Sequence, residues 1–188
     1  MSEIASALPD AVFDGLARIE EAGPSGMVTV KGDLGDATLR KAVAEVAGVD
    51  LPKALGAATA GDHGVLWMAP DELLVLTPYA EAADSAARLA QALAGTHSLV
   101  ANVSDARAVF TLSGEQVRDV LAKLTPADLH PSALAPGTVR RTRFAQVPAA
   151  FWLSDSESAT VICFRSVAQY VFDSLCHAAR PGTSPGHF

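Results

Sequence analysis

The sharpest change of hydrophobic period in the chain lies between Leu99 and Leu124. An extended apolar segment meets a turn at Ser104–Asp105, and a strand follows over Ala108–Leu112, where Val109, Phe110, Thr111 and Leu112 are strand-type residues with apolar/polar alternation. After a break at Ser113–Gly114 the period becomes helical. Val117, Val120, Leu121 and Leu124 fall at i, i+3, i+4 and i+7 on one face. Ser113 is placed to cap this helix, and Glu115 adds negative charge near the positive end of its dipole.

The same patterns order the rest of the chain. Ala11, Val12, Leu16 and Ile19 predict a short helix before the chain-breaking cluster Ala22–Gly26. Met27–Lys31 is a strand. Asp36–Val46 is a helix with Leu39, Val43 and Val46 on one face, ending at Gly48. The Ala/Gly-rich stretch 49–64 is a connection, and Val65–Thr77 is a hairpin turning at Ala69–Glu72, with Trp67 in or near the core. A helix over Ala80–Ala94 stops at Gly95. Beyond the central unit come a proline-punctuated loop (Thr125–Gly137), strands at Val139–Phe144, Ala149–Leu153 and Ala159–Phe164, and a last helix capped by Ser166.

This order, β-α-ββ-α-ββ-α-βββ-α, predicts an α+β fold of split β-α-β units with mostly antiparallel sheets. Residues 1–25 are expected to be an N-terminal arm, 26–180 the core with two interlocked lobes near 26–97 and 98–180, and 181–188 a flexible tail.

Composition narrows the function. Of 188 residues, 49% are hydrophobic and 19% charged, which favours a packed core over disorder. Fourteen basic against 21 acidic residues give a net charge of −7, poorly suited to a polyanion, so no nucleic acid is expected as partner. The N-terminus has neither the basic nor the apolar region of a signal peptide, and no apolar run is long enough to span a bilayer. Two cysteines without a disulfide framework agree with a reducing compartment, so the cytoplasm is expected, with no membrane partner.

Motifs for chemistry are scarce. Cys163 and Cys176 lie thirteen residues apart with no CxxC or HxxxH pair, and Cys176 and His177 project in different directions on a helix, so no metal site is expected. His63, His97 and His130 fall in loop-like regions without partner spacing. There is no G-x-S-x-G elbow, and Cys163 is expected mid-strand without a basic group beside it. Gly32-Asp33-Leu34-Gly35 is read as a turn, being neither a dinucleotide fingerprint nor a P-loop. No catalytic, cofactor-binding or metal residue is therefore assigned. The arginines carry more information. Asp105 and Arg107, at i and i+2, would fall on one side of a strand; Arg165 stands where the last strand meets the last helix; Arg140, Arg141 and Arg143 cluster in one strand. Asp105, Arg107 and Arg165 are read as structural or partner contacts.

Several stretches together resemble one family. They are Leu66-Trp67-Met68-Ala69-Pro70-Asp71-Glu72-Leu73-Leu74, Val103-Ser104-Asp105-Ala106-Arg107, Leu112-Ser113-Gly114, Asp128-Leu129-His130-Pro131, Arg141-Thr142-Arg143 and Phe164–Tyr170. Their order and spacing resemble the gamma subunit of heterotetrameric sarcosine oxidase, over roughly residues 26–180. The resemblance implies a fold similar to the folate-binding domain of glycine-cleavage aminomethyltransferase. It also implies a non-catalytic accessory role beside alpha, beta and delta subunits. In that family the complex demethylates sarcosine oxidatively to glycine, yielding hydrogen peroxide and formaldehyde or 5,10-methylenetetrahydrofolate. FAD, FMN, NAD, tetrahydrofolate and zinc belong there to the other subunits, none to gamma. The gamma-like subunit of N-methylglutamate dehydrogenase and a stand-alone folate-binding domain are the alternatives.

Overall fold

A computed structural model describes residues 4–188; of the expected arm at 1–25, residues 1–3 lie outside the described residues. In chain order the elements are β1 (Val12–Asp14), β2 (Arg18–Glu21), β3 (Gly26–Lys31), α1 (Ala37–Ala47), β4 (Ala57–Ala60), β5 (His63–Ala69), β6 (Glu72–Thr77) and α2 (Ala82–Ala92). Then come β7 (Leu99–Asn102), β8 (Arg107–Ser113), α3 (Val117–Ala122), β9 (Val139–Phe144), β10 (Val147–Leu153), β11 (Ser158–Phe164) and α4 (Ala168–Ala178). The chain forms two compact units, one from Met1–Pro24 with Asp105–Phe188 and one from Ser25–Ser104.

The Ser25–Ser104 unit is a five-stranded sheet in the order β4-β5-β6-β3-β7, antiparallel at every pairing. α1 starts where the Asp36 carboxylate accepts from the amides of Thr38 (2.6 Å) and Leu39 (3.4 Å). It stops at Gly48, whose φ of 65° only glycine adopts freely and whose N–H donates to the Ala44 carbonyl. Leu39, Val43 and Val46 then face the sheet and pack with Val28, Val30, Val65 and Val75. Because successive strand residues point to opposite faces, Met27, Leu66 and Leu74 lie on the sheet's other face, and they are buried too. Two apolar faces explain why MVTV and LLVL read as continuous hydrophobic runs.

The other unit carries a six-stranded antiparallel sheet in the order β1-β2-β8-β11-β10-β9. Phe110, Leu112, Phe151, Val161 and Cys163 fill its core with Val120 and Leu121 of α3 and Val171 and Leu175 of α4. Phe144 meets Phe151 edge-on at 5.5 Å between ring centroids. Arg118 is buried, and desolvation lowers its pKa. Its fork donates to the carbonyls of Leu129 (2.7 Å) and Leu134 (3.0 Å), so it holds the long 125–137 loop rather than a ligand.

Four local expectations are corrected. Residues 11–19 form no helix: Val12–Asp14 and Arg18–Glu21 are strands, and Ile19 is buried opposite Leu112 of β8. Stretch 49–64 is not all connection, since β4 pairs with β5 from within it. Ser113 does not cap α3. It is a paired strand residue, opposite both Arg18 and Ser158, and the chain turns through 114–116 before the helix begins at Val117. Ser166 likewise lies inside a 3-10 turn (Arg165–Val167), and α4 has no side-chain cap.

Two outcomes follow from this packing. Asp36→Ala removes two cap bonds and should destabilise the chain by about 1 kcal/mol in urea melts, whereas Ser113→Ala should leave α3 unharmed. A Ser113 effect as large as that of Asp36 would contradict the cap assignment. Burial pushes the Cys163 thiol up to about 12, against a lowering pull from Arg107. The folded state therefore favours the neutral thiol. Its contribution to stability is whole below the ordinary value of 9.0 and is lost as pH rises from there toward 12. Iodoacetamide at about pH 8 should label half-buried Cys176 first and Cys163 only on unfolding, as read by peptide mass mapping.

Candidate functional site

The three residues read as structural or partner contacts all lie at one end of the six-stranded sheet. Asp105 is exposed in a single 3-10 turn, Ser104–Ala106, immediately before β8, so it does not share a strand face with Arg107. Arg107 opens β8 directly opposite Phe164, the last residue of β11. Its guanidinium carbon stands 4.2 Å from the Phe164 ring centroid, a cation–π stack. Arg165 follows Phe164, and its Nη2 donates to the carbonyls of Ala5 (2.8 Å) and Ser6 (2.9 Å). The pairing of β8 with β11 therefore joins Arg107, Phe164 and Arg165 into one surface. Ala106, Phe164, Arg165 and Ser166 line a shallow depression of about 600 Å³ there.

Phe164 is the member that sequence reasoning passed over. The sequence marks it only as a strand end and as the first residue of the family-like stretch Phe164–Tyr170, yet 43% of it is exposed, and Tyr170 on α4 is exposed to 41%. The available signal was an aromatic residue closing a strand immediately before an arginine. Arg165, by contrast, has a structural task, since it pins the N-terminal segment. Glu21 assists, its carboxylate accepting from the amides of Ala7 (3.2 Å) and Gly23 (3.0 Å).

The other chemistry-bearing residues disperse. Arg140 donates to the carbonyl of Ala133 (2.7 Å) and Arg143 to the side chain of Gln146 (2.9 Å), so the basic strand does not converge on a common ligand. His130 Nδ1 lies 2.7 Å from Ser132 Oγ within a turn, and His63 Nε2 lies 3.9 Å from a Glu81 carboxylate oxygen. Among the described residues no group of three or more His, Cys, Asp or Glu side chains is placed to hold a metal ion. Cys163 does have a basic group near it, Arg107 across the β8–β11 pair, but burial outweighs that charge and leaves a neutral thiol. A guanidinium stacked on an exposed aromatic ring suits protein contact better than bond-making chemistry.

Comparison with known proteins identifies the chain's relatives. A sequence model described as the Sarcosine oxidase, gamma subunit family matches residues 31–180. The sarcosine oxidase subunit gamma of Arthrobacter sp. is 35% identical over 172 residues, which span 88% of this chain and 82% of that protein. Among solved structures, the fold resembles a chain of the heterotetrameric sarcosine oxidase from Corynebacterium sp. U-96, solved in complex with pyrrole 2-carboxylate. That match has a TM-score of 0.80 at 26% identity and covers 89% of this chain and 86% of the other. The glycine cleavage system aminomethyltransferase T from Bartonella henselae matches with a TM-score of 0.65 at 15% identity, covering 89% of this chain and 47% of that one, which is a likeness of fold alone. The sequence resemblance and the α+β fold expected from it are both upheld, and the chain belongs to the sarcosine oxidase gamma subunit family.

Proposed function

We propose that this chain is the gamma subunit of a heterotetrameric sarcosine oxidase and serves it as a non-catalytic accessory subunit. The observation that carries the reading is the family match across 31–180, which reaches from the last residue of β3 to just past the end of α4. The chain's chemistry points the same way. Its buried arginine holds a loop, its buried thiol is neutral, and its histidines are scattered.

The partners in this reading are alpha, beta and delta subunits, assembled in the cytoplasm, where two free thiols persist. FAD, FMN, NAD, tetrahydrofolate and zinc are held by those subunits. The complex removes the methyl group of sarcosine, giving glycine, hydrogen peroxide and formaldehyde or 5,10-methylenetetrahydrofolate. The gamma chain contributes surface. Asp105, Arg107 and Arg165, with exposed Phe164 between the two arginines, form part of the contact with a partner subunit, because an aromatic ring backed by a guanidinium is a frequent anchor of protein interfaces.

Affinity purification of the tagged chain from its native cells tests the reading. The expected eluate contains further subunits, absorbs in the visible as a flavoprotein, and oxidises sarcosine in preference to N-methylglutamate. A colourless single chain would overturn the assignment, and preference for N-methylglutamate would move it to the related dehydrogenase. Phe164→Asp should reduce the co-purified flavin about tenfold while leaving the melting temperature of the free chain unchanged, since Phe164 is largely outside the core. Undiminished flavin with this variant would remove Phe164 from the contact.

A further inference from the structure

In the Ser25–Ser104 unit a slot of about 270 Å³ opens beside the start of α1. Leu34, Leu51, Pro52, Trp67 and Leu73 form its apolar walls, and Arg40 and Lys53 are its charged lining residues. Among the described residues no acidic side chain lines it, although the chain as a whole carries a net charge of −7. From this geometry we infer that the slot binds a small apolar carboxylate, its hydrocarbon part against Trp67 and its anion between Arg40 and Lys53. The inference is independent of the assembly proposed above.

Three features of the backbone show that the slot is built rather than left over. The β5–β6 register shifts between Trp67 and Ala69, and such a bulge re-aims side chains. Trp67, the last residue in register before the bulge, is half-buried, while Val65 and Leu66 just before it are fully buried. The facing wall, 51–54, is held at its C-terminal end through Gly56. The Trp67 N–H donates to the Gly56 carbonyl (3.0 Å), and the Gly56 N–H donates to the Lys53 carbonyl (2.9 Å). That tight turn forces Leu55 to a φ of 61°, a strained conformation for a leucine. It also needs a glycine at 56, where a Cβ would come within 2.8 Å of the Lys53 carbonyl oxygen. Strain of this kind is retained where the surrounding structure fixes a functional geometry.

The chemistry of the lining selects the ligand. Aliphatic and indole walls favour an apolar body, and the half-exposed Trp67 can stack on a ring or an alkyl chain. The Arg40 Nη1 donates a long 3.4 Å bond to the Leu34 carbonyl, which steadies the guanidinium while leaving its other donors available to a carboxylate. The volume lies just under the roughly 300–1,000 Å³ of pockets for drug-sized ligands, so the ligand is small.

The chain has two tryptophans, Trp67 in the slot and Trp152 buried in the other unit, so nitrogen-15 NMR of the full chain gives one indole signal for each. The probe is phenylacetate, with the uncharged phenylacetamide beside it. Phenylacetate should shift the Trp67 indole signal saturably and leave Trp152 still. The amide should bind about tenfold more weakly, as should phenylacetate to the Arg40→Gln/Lys53→Gln double variant, whose amide signals from the Ser25–Ser104 unit, dispersed as in the unmodified chain, report correct folding. A Trp67 signal that stays fixed up to about 20 mM phenylacetate would overturn the inference, as would equal affinity for acid and amide. Should the double variant lose that dispersion, the acid–amide comparison on the unmodified chain decides alone.

Discussion

Strand β8 is the constraint on which the larger unit depends. It pairs with β11 over seven residues and with β2 over four, and Phe110 at its centre is wholly buried. The bond from the Ala22 N–H to the Val109 carbonyl extends the β2 side by one more link. Its two neighbours come from opposite ends of the chain, so the sheet cannot close until the residues at 18–21 and those beyond 105 have both arrived. The entropy of closing so long a loop grows only slowly with its length, which lets the whole Ser25–Ser104 unit fall in sequence between the paired strands β2 and β8.

The same fact separates what the sequence discloses from what it conceals. α1 was legible because its signals are local: three apolar residues on one face and a glycine at the end, with an aspartate at its start. The β5–β6 hairpin was legible because both strands are long and flank Pro70 directly. β1 and β2 were not, since they have three and four residues respectively, too few to show a period, and they become strands only because β2 pairs with β8 and β1 with β2. Ser113 illustrates the converse error. A serine ahead of an apolar helical pattern is a sound cap signal until long-range pairing claims the residue for a strand.

The candidate site divides similarly. Arg107 and Arg165 were singled out for what a guanidinium fork can bind, and their positions at the strand ends were correctly anticipated. What they meet was out of reach. Arg165 bonds carbonyls 160 and 159 residues earlier, and the Arg107–Phe164 stack exists only because β8 and β11 are in register. The slot beside Trp67 was hidden for another reason, since it arises from a bulge and a strained leucine, and neither leaves a pattern in the sequence. The family, by contrast, was legible from the order of several short motifs, each weak alone.

These features describe a chain whose polar groups are spent on holding its own architecture and whose exposed aromatic and basic side chains face outward. Subunit omission tests that account most directly. The complex would be reconstituted with and without this chain, and sarcosine-dependent peroxide formation measured per flavin, together with the chain alone. The account predicts no flavin and no turnover for the chain alone, and impaired assembly of the complex without it. Sarcosine demethylation by the isolated chain, or full assembly and turnover in its absence, would contradict it.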